Sequence, residues 1–314
     1  MEAVLEAPMA SEQGSQHAED LTVRAYYRPL PQVKYWMHPP TVSRWCYSRV
    51  EQDIILTLAK DTSNELSIAP VKGRDFAWET NGSSEVRRYE LEDGRAGYFK
   101  PLQANSSDEG AFRNYGTSSL GASISELNAY RMAQLLGGSY AELVPTTVLR
   151  RLDGEVGTLQ LEVNEPGEYS DESKLSEDYR RAALFDFVIG NLDRHSENYL
   201  FGADELGQTR IRLIDNSFSF PMLRGGWFLN ESVFADNCSQ MSPRSMLLEI
   251  PLDEIEFREA EKVALRRARA GVEDWLSAGT IGIVRGKATL RRIDGLLKLG
   301  RHGEISEYFD GLRR

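Results

Sequence analysis

The chain has 314 residues, of which 41% are hydrophobic and 27% are charged, and its formal net charge at pH 7 is −11. This length and composition predict a globular protein of two compact units, or one domain with two lobes, and exclude a wholly disordered chain. The acidic excess argues against a protein whose main role is to track nucleic-acid phosphates. The two cysteines, Cys46 and Cys238, are too few for the disulfide framework of a small secreted domain and indicate a reducing compartment.

The N-terminal region has two parts of different composition. Residues 1–20 contain acidic residues but no Lys, no Arg and no apolar run, so we expect a disordered acidic tail rather than a secretory signal. No segment of the chain is apolar enough to span a bilayer, and we therefore expect a cytoplasmic protein without membrane insertion. Residues 21–75 mix aromatic residues with prolines and are interpreted as an accessory segment, in which residues 53–60 form a strand or a short helix.

A pair of strands is the first clear pattern along the chain. Residues 86–91 and 96–100 are strand-like and flank a glycine-containing turn, which predicts a β-hairpin. The tripeptide Gly82-Ser83-Ser84 precedes it, and a glycine followed by two hydroxyl residues could bind phosphate through backbone N–H groups and hydroxyls. Composition alone favours an ordinary surface turn for this tripeptide. Lys100 ends the second strand, where its ammonium group could balance phosphate charge.

Helical patterns become dominant further along the chain. Residues 123–136 have apolar residues at helical spacing, Ser123 and Glu126 have the spacing of a capping box, and two glycines follow the predicted end. A strand-rich first half and a helix-rich second half predict an α+β fold of two lobes, at residues 76–165 and 166–314. The remaining predicted elements are strands at 144–151 and 155–163, a helix at 177–189 with Ser176 as its N-cap, and helical patterns within 253–276.

Three side chains in the second half fit magnesium-dependent phosphoryl transfer. Asp193 is followed by Asn198 five positions later, and a strand-like run at 211–214 leads into Asp215. Such transfer needs a carboxylate that takes the proton of the incoming hydroxyl, and oxygen ligands that hold Mg²⁺ against the ATP phosphates. We expect Asp193 to be the base and Asn198 and Asp215 to bind the metal. Each residue alone also fits a structural role as a turn former or a strand end.

The order of the candidate residues along the chain is that of a kinase. Lys100 comes first, Glu126 could be its ion-pair partner, and Asp193, Asn198 and Asp215 follow. The segments that contain them resemble the atypical kinases of the phosphatidylinositol 3-/4-kinase, HipA and secretory-pathway kinase superfamily. The matching segments, spread over about 140 residues from Gly82 to Phe220, are Tyr98-Phe99-Lys100-Pro101, Glu126-Leu127-Asn128-Ala129-Tyr130, Leu135-Leu136-Gly137, Val144-Pro145, Phe185-Asp186-Phe187, Gly190 to His195 and Leu213-Ile214-Asp215-Asn216.

The resemblance implies a bilobal protein-kinase-like fold, with a β-rich N-lobe, a mainly α-helical C-lobe, and ATP and Mg²⁺ as cofactors in the cleft between them. It implies that the residues from Gln160 to Val163 form the hinge that contacts adenine. His195 would contact the transferring phosphoryl group, or it would bond the loop backbone in a structural role. Asn216-Ser217 stands where many kinases have Phe-Gly, and Asn198 where the secretory kinases tend to have Glu. The superfamily tolerates the first of these variations. The secretory kinases also carry disulfides and a leader, neither of which we expect here, so the resemblance is nearer to the bacterial phosphatidylinositol-kinase-like and HipA-like branches.

Together these residues predict an ATP-dependent phosphotransferase whose acceptor is a protein Ser or Thr hydroxyl. A small-molecule alcohol (a sugar, nucleoside or antibiotic) is the second acceptor class, and AMP transfer is a variant of the same fold. Residues 216–243 contain Arg224 as their only basic residue, which disfavours an anionic phosphoinositide headgroup. A catalytically inactive kinase-fold binding module is a different class of function. A nucleic-acid-binding regulator is another, through Arg266, Arg267 and Arg269, although the acidic chain predicts no nucleic-acid partner.

Overall fold

The computed structural model describes residues 51, 53–55, 57, 58, 66, 69–75, 86–102, 119–163, 172–203, 208–221 and 258–299. Its elements are β1 (Val71–Asp75), β2 (Arg87–Leu91), β3 (Ala96–Pro101), α1 (Ser119–Leu136), β4 (Thr147–Leu152), β5 (Glu155–Leu161), α2 (Glu172–Ile189), β6 (Tyr199–Ala203), β7 (Thr209–Leu213), α3 (Glu259–Ser277) and α4 (Ile283–Lys298). The first five strands form one antiparallel sheet in the order β1-β2-β3-β5-β4, and β6 pairs with β7. The predicted α+β class, with a sheet in the first part and helices in the second, is confirmed.

The hairpin of β2 and β3 carries the strand on which Lys100 lies. The pairing of β2 with β3 confirms the first predicted hairpin, and the pairing of β4 with β5 confirms the second. Gly94 closes the first turn with a φ of 86°, in the left-handed region that favours glycine. Phe99 is fully buried and packs edge-on against Tyr89, with 5.8 Å between the ring centroids. Because side chains alternate along a strand, the burial of Phe99 places Lys100 on the opposite face of the sheet.

Helix α1 begins at Ser119, about one turn before the predicted start. The predicted capping box of Ser123 and Glu126 is therefore wrong, and both residues are buried inside the helix. The residues at 120–122 are themselves largely apolar, and their packing extends the helix past the position where local signals place a cap. The predicted end is confirmed, because the glycines at 137 and 138 follow the helix with φ of 60° and 57°.

Two apolar cores meet on α1. Ile124 and Leu127 belong to a cluster that includes Leu149 of the sheet. Met132, one to two turns further along, belongs to the larger cluster that α1 shares with α2, α3 and α4. The helix therefore connects the sheet with the helical part of the protein, and Glu126 lies at the junction of the two.

Helix α2 is the buried centre of the second part. It starts at Glu172, so Ser176 lies inside the helix and the predicted N-cap at Ser176 is wrong. Residues 182–189 are all buried. Helix α4 and strand β7 pack against α2. The burial of this run fixes the position of the loop that follows it, which contains Asp193.

Two arginines of α3 serve the fold instead of forming an open basic patch. Arg267 donates hydrogen bonds to the backbone carbonyl groups of Leu135 and Leu136, which are the unpaired acceptors at the end of α1. Arg269 forms ion pairs with Glu273, four residues later on the same helix (2.7 Å), and with Asp294 of α4 (2.8 Å). These contacts weaken the case for a nucleic-acid-binding surface on α3.

Part of the accessory segment packs with the main structure. The described residues between 53 and 60 are helical, so the strand alternative for them is wrong. Strand β1 lies in the same segment and pairs antiparallel with β2 at the edge of the sheet. Within the described parts of the chain, no helix combines the length and the apolar character that crossing a membrane requires.

Candidate functional site

Lys100 of β3, Glu126 of α1 and Asp215, which follows β7, meet where the sheet faces the helical part. Lys100 Nζ lies 2.6 Å from Glu126 Oε1 and 3.0 Å from Asp215 Oδ1. The side chain of Glu126 is 3% exposed, whereas that of Asp215 is 43% exposed. The lysine therefore bridges a buried carboxylate and a carboxylate that is open to solvent and to ligands.

Glu126 also anchors the segment that follows Asp215. Its Oε2 accepts a hydrogen bond from the Asn216 backbone N–H (3.0 Å), and its Oε1 accepts one from the Ser217 hydroxyl (3.0 Å). A buried carboxylate needs such donors because burial without them disfavours its charge. The Asn216-Ser217 pair, which departs from Phe-Gly, thus provides two donors that hold α1 against the segment after β7.

The charges of Lys100 and Asp215 support each other. Partial burial opposes ionisation of the Asp215 carboxyl, but the adjacent Lys100 ammonium outweighs it and lowers the pKa of Asp215 to about 2. Burial also opposes the charge on Lys100, but Asp215 and Glu126 outweigh it and raise the pKa of Lys100 above its usual value. At neutral pH, Asp215 is therefore an anion suited to a cation, and Lys100 is a cation suited to phosphate.

The β6–β7 hairpin brings Asn198 close to Asp215. Strand β6 begins at Tyr199, directly after Asn198, and Tyr199 pairs with Leu213 at the end of β7. The Asn198 backbone carbonyl accepts a hydrogen bond from the Ile214 N–H (3.1 Å). Because the two strands are antiparallel, the residue before β6 and the residues after β7 lie at the same end of the hairpin. The two predicted metal ligands are thus presented from one rigid unit.

Asp193 lies in a loop that Asn198 closes. Asn198 Nδ2 donates to the Asp193 backbone carbonyl (2.7 Å), and the Asn198 backbone N–H donates to the His195 carbonyl (3.0 Å). At the start of the loop, the Asn191 side-chain oxygen accepts a hydrogen bond from the Asp193 N–H (2.8 Å). Since Nδ2 of Asn198 is used inside the loop, Oδ1 is the atom of this side chain that suits a cation.

His195 is held by the loop through a hydrogen bond to one ring nitrogen, because a neutral imidazole has a single acceptor nitrogen. Nδ1 accepts a hydrogen bond from the Glu197 backbone N–H (3.3 Å), and Nε2 lies 3.1 Å from Asn198 Nδ2. These contacts match the structural role considered for this histidine, in which it bonds the loop backbone. Contact between His195 and a transferring phosphoryl group stays a prediction.

Arg194 is the residue of this site that the sequence analysis did not single out. Its guanidinium forms an ion pair with Asp186 of α2 (3.0 Å), and both side chains are fully buried. It also donates to the backbone carbonyl groups of Asn198 and Ile214 and to Asn216 Oδ1 (2.6 Å). One arginine therefore ties α2, the Asp193 loop and the end of β7 together. The only local signal for it is an acidic residue, Asp186, inside an otherwise apolar helix run.

Removal of the Arg194 guanidinium is expected to destabilise the protein strongly. In Arg194→Met, the buried Asp186 carboxylate loses its counter-ion, and such losses typically reduce the free energy of unfolding by about 3–5 kcal/mol. Urea unfolding measures the change. The double variant Arg194→Met with Asp186→Asn is the control, because it removes the orphaned charge and should recover part of the loss. A loss below about 1 kcal/mol in Arg194→Met would contradict the role given to this ion pair.

The remaining predicted nucleotide-binding residues have different outcomes. Gly82, Ser83 and Ser84 lie outside the described residues. Gln160 of β5 pairs with Tyr98 of β3. The next pair but one along the same two strands is Thr158 with Lys100. The Gln160 side-chain Nε2 donates to Thr147 Oγ1 (3.0 Å). Gln160 is therefore on the same face of the sheet as Lys100, and its contact with adenine stays a prediction.

The donors in this site suit a magnesium–nucleotide complex better than a free metal ion. Among the described residues, no group of three or more His, Cys, Asp and Glu side chains could hold a metal ion. The Asp215 carboxylate and the Asn198 amide oxygen are two hard oxygen donors. Mg²⁺ is commonly bound by one or two protein oxygens together with substrate phosphates and water, and the Lys100 ammonium lies 3.0 Å from Asp215, where its charge would suit phosphate.

The comparisons with known proteins find similarity among solved structures. No protein-family model and no curated protein matches the chain. The Helicobacter pylori proinflammatory kinase CtkA is similar with a TM-score of 0.44 and 11% identity, over 76% of this chain and 94% of that one. The Golgi casein kinase is similar with a TM-score of 0.44 and 13% identity, over 95% of this chain and 87% of that one. Its structure with Mn/ADP bound has a TM-score of 0.44 and 12% identity, over 96% of this chain and 92% of that one. At these TM-scores and identities, the similarity assigns no residue role and no substrate to this chain.

Proposed function

We propose that the protein is an ATP- and Mg²⁺-dependent phosphotransferase that acts on a hydroxyl group. The observation that carries this proposal is the position of Lys100 between Glu126 and Asp215, at 2.6 Å and 3.0 Å. A lysine on a strand, fixed by a helix glutamate beside a metal-binding aspartate, is the arrangement that holds nucleotide phosphates in kinases. Asp193 and Asn198, in the loop before β6, would complete the set that phosphoryl transfer requires.

Each side chain has one task in the proposed reaction. Lys100 binds phosphate oxygens and is kept protonated and oriented by Glu126. Asp193 accepts the proton of the acceptor hydroxyl, while Asn198 and Asp215 hold the cation. When bound, Mg²⁺ neutralises the charge that develops on the phosphate oxygens. Such transfer depends mainly on positioning and electrostatics, which agrees with a loop and a hairpin fixed by many hydrogen bonds.

We propose a protein Ser or Thr hydroxyl as the acceptor, with a small-molecule alcohol as the second choice. We further propose that the chain is an atypical kinase of the phosphatidylinositol-kinase-like and HipA-like type, with an accessory segment at 21–75 and lobes at 76–165 and 166–314. The sparse cysteines support a cytoplasmic location.

Labelled ATP separates these possibilities in one experiment. The full chain is incubated with Mg²⁺ and a cell lysate depleted of ATP, with either γ-labelled or α-labelled ATP. We expect label from the γ-position in protein, and none from the α-position. The Lys100→Met variant is the control for lysate kinases and should lose about 10²-fold or more of the transfer, by analogy with the loss of one preorganised charge-stabilising group.

Each other outcome points to a different function. γ-label in the low-molecular-weight fraction indicates a small-molecule acceptor, and α-label in an acceptor indicates AMP transfer. Mg²⁺-dependent ATP binding with no transfer to protein or to small molecules, and no autophosphorylation, would contradict the proposal and favour a kinase-fold binding module.

A further inference from the structure

The accessory segment packs directly beside the helix residue that fixes Lys100. Ile54, Ile55 and Leu58 share one apolar cluster with Ile124 and Leu127 of α1. These two α1 residues flank Glu126 in the sequence. Ile54, Ile55 and Leu58 are 4%, 1% and 5% exposed, so the contact is a closed core and not a loose surface association.

A buried arginine makes a second, polar contact with the same part of α1. Arg285 of α4 donates from Nη1 to Ser125 Oγ (3.1 Å) and to the Gly121 backbone carbonyl (3.2 Å). Its Nη2 lies 3.5 Å from Glu51 Oε1 in the accessory segment. Arg285 is 5% exposed, so these acceptors replace water around its charge.

Ser125 extends this polar contact towards the segment that follows β7 and Asp215. Its hydroxyl lies 2.8 Å from the backbone carbonyl of Ser219 and 2.8 Å from that of Gly121. Ser219 belongs to the segment after Asp215, whose earlier residues bind Glu126. Arg285 and Ser125 thus join α1 to the accessory segment, to α4 and to the segment after Asp215. Ser125 is the residue directly before Glu126.

We propose that Glu51, Ile54, Ile55, Leu58 and Arg285 form a clamp that holds α1 where Glu126 can pair with Lys100. In this assignment Arg285 is a positioning residue that contacts neither nucleotide nor acceptor. The accessory segment becomes a required part of the active enzyme, so any process that releases it would lower activity. The predicted effect of the clamp on catalysis rests on the proposed function. Its predicted effect on the position of α1 does not.

The first test measures α1 directly and needs no turnover. Amide hydrogen exchange is followed by mass spectrometry in the full chain and in Arg285→Met. We expect exchange over residues 119–136 to rise about tenfold or more, since charged hydrogen bonds that hold the helix are lost, while α3 exchanges as before. The matched control is Arg180→Met, because Arg180 is also buried but pairs with Glu261 of α3 (2.7 Å).

The second test measures catalysis. Arg285→Met should lower kcat about 10- to 10²-fold through misplacement of Lys100, and Arg285→Lys should restore part of it. In a Glu126→Gln background, where the ion pair is already lost, adding Arg285→Met should have little further effect on kcat. Glu51→Gln and Ile55→Ala provide milder variants with the same expected pattern if Arg285→Met does not fold.

Two results would overturn the clamp. One is an exchange increase in these variants that is uniform over α1 and α3, since this indicates a general loss of stability. The other is unchanged exchange in α1. If the wild-type chain transfers no phosphate at all, the proposed function fails, and the exchange measurement still decides whether the clamp exists.

Discussion

Asp193→Ala is expected to lower phosphoryl transfer by about 10²–10⁴-fold, the range that a positioned general base contributes. ATP binding should change little, because the contacts expected to hold the nucleotide come from Lys100, Asn198 and Asp215. The loop should keep its shape in the variant, since Asn198 and Asn191 bond the backbone of Asp193, which the substitution leaves in place. Single-turnover rates and equilibrium binding of ATP, measured side by side, separate the two effects.

Two further variants sharpen this prediction. Asp193→Asn keeps the size and polarity of the side chain but cannot take a proton, so it should resemble the alanine variant. Glu197→Gln is the matched control, because Glu197 is an exposed carboxylate in the same loop, and its rate should stay close to wild type. Normal turnover in Asp193→Asn would remove the base assignment and leave Asp193 with a structural role.

Local patterns predict much of the site because its residues follow elements that have clear sequence signals. The alternation of apolar residues and the turn glycines give the strand that ends at Lys100 and the strand before Asp215. The order of the candidate residues along the chain then gives Glu126 as the partner of Lys100, and the two side chains lie 2.6 Å apart. Helix beginnings are predicted less well: α1 starts at Ser119, because packing of the preceding apolar residues outweighs the capping signal at Ser123.

The residues that the sequence does not reveal are buried arginines with distant partners. Arg285 lies 160 positions from Ser125, and Arg194 binds groups on three separate elements. A buried guanidinium requires several acceptors, but a sequence gives no sign of which carbonyl groups will surround it. These arginines connect the site with the rest of the fold, and only the tertiary structure identifies them.

Asp215→Asn is expected to lower phosphoryl transfer by at least about 10²-fold and to raise the Mg²⁺ concentration that half-saturates the reaction. The metal contributes several kcal/mol of charge stabilisation in such reactions, and each 1.36 kcal/mol corresponds to about a factor of ten in rate. Lys100 lowers the pKa of the wild-type carboxylate to about 2, so this carboxylate is an anion at neutral pH. An amide has nearly the same shape but no charge, and therefore binds Mg²⁺ more weakly.

Glu126→Gln is the comparison that separates loss of the metal site from loss of the lysine. Both variants remove one carboxylate that contacts Lys100, at 3.0 Å for Asp215 and 2.6 Å for Glu126. Glu126 is nearly buried and is held by Asn216 and Ser217, so we expect it to act through the position of Lys100 and not on a bound cation. Glu126→Gln should therefore slow transfer at an unchanged Mg²⁺ requirement, while Asp215→Asn changes both. If the Mg²⁺ dependence of Asp215→Asn equals that of the wild type, Asp215 is not a metal ligand, and its role is limited to the ion pair with Lys100.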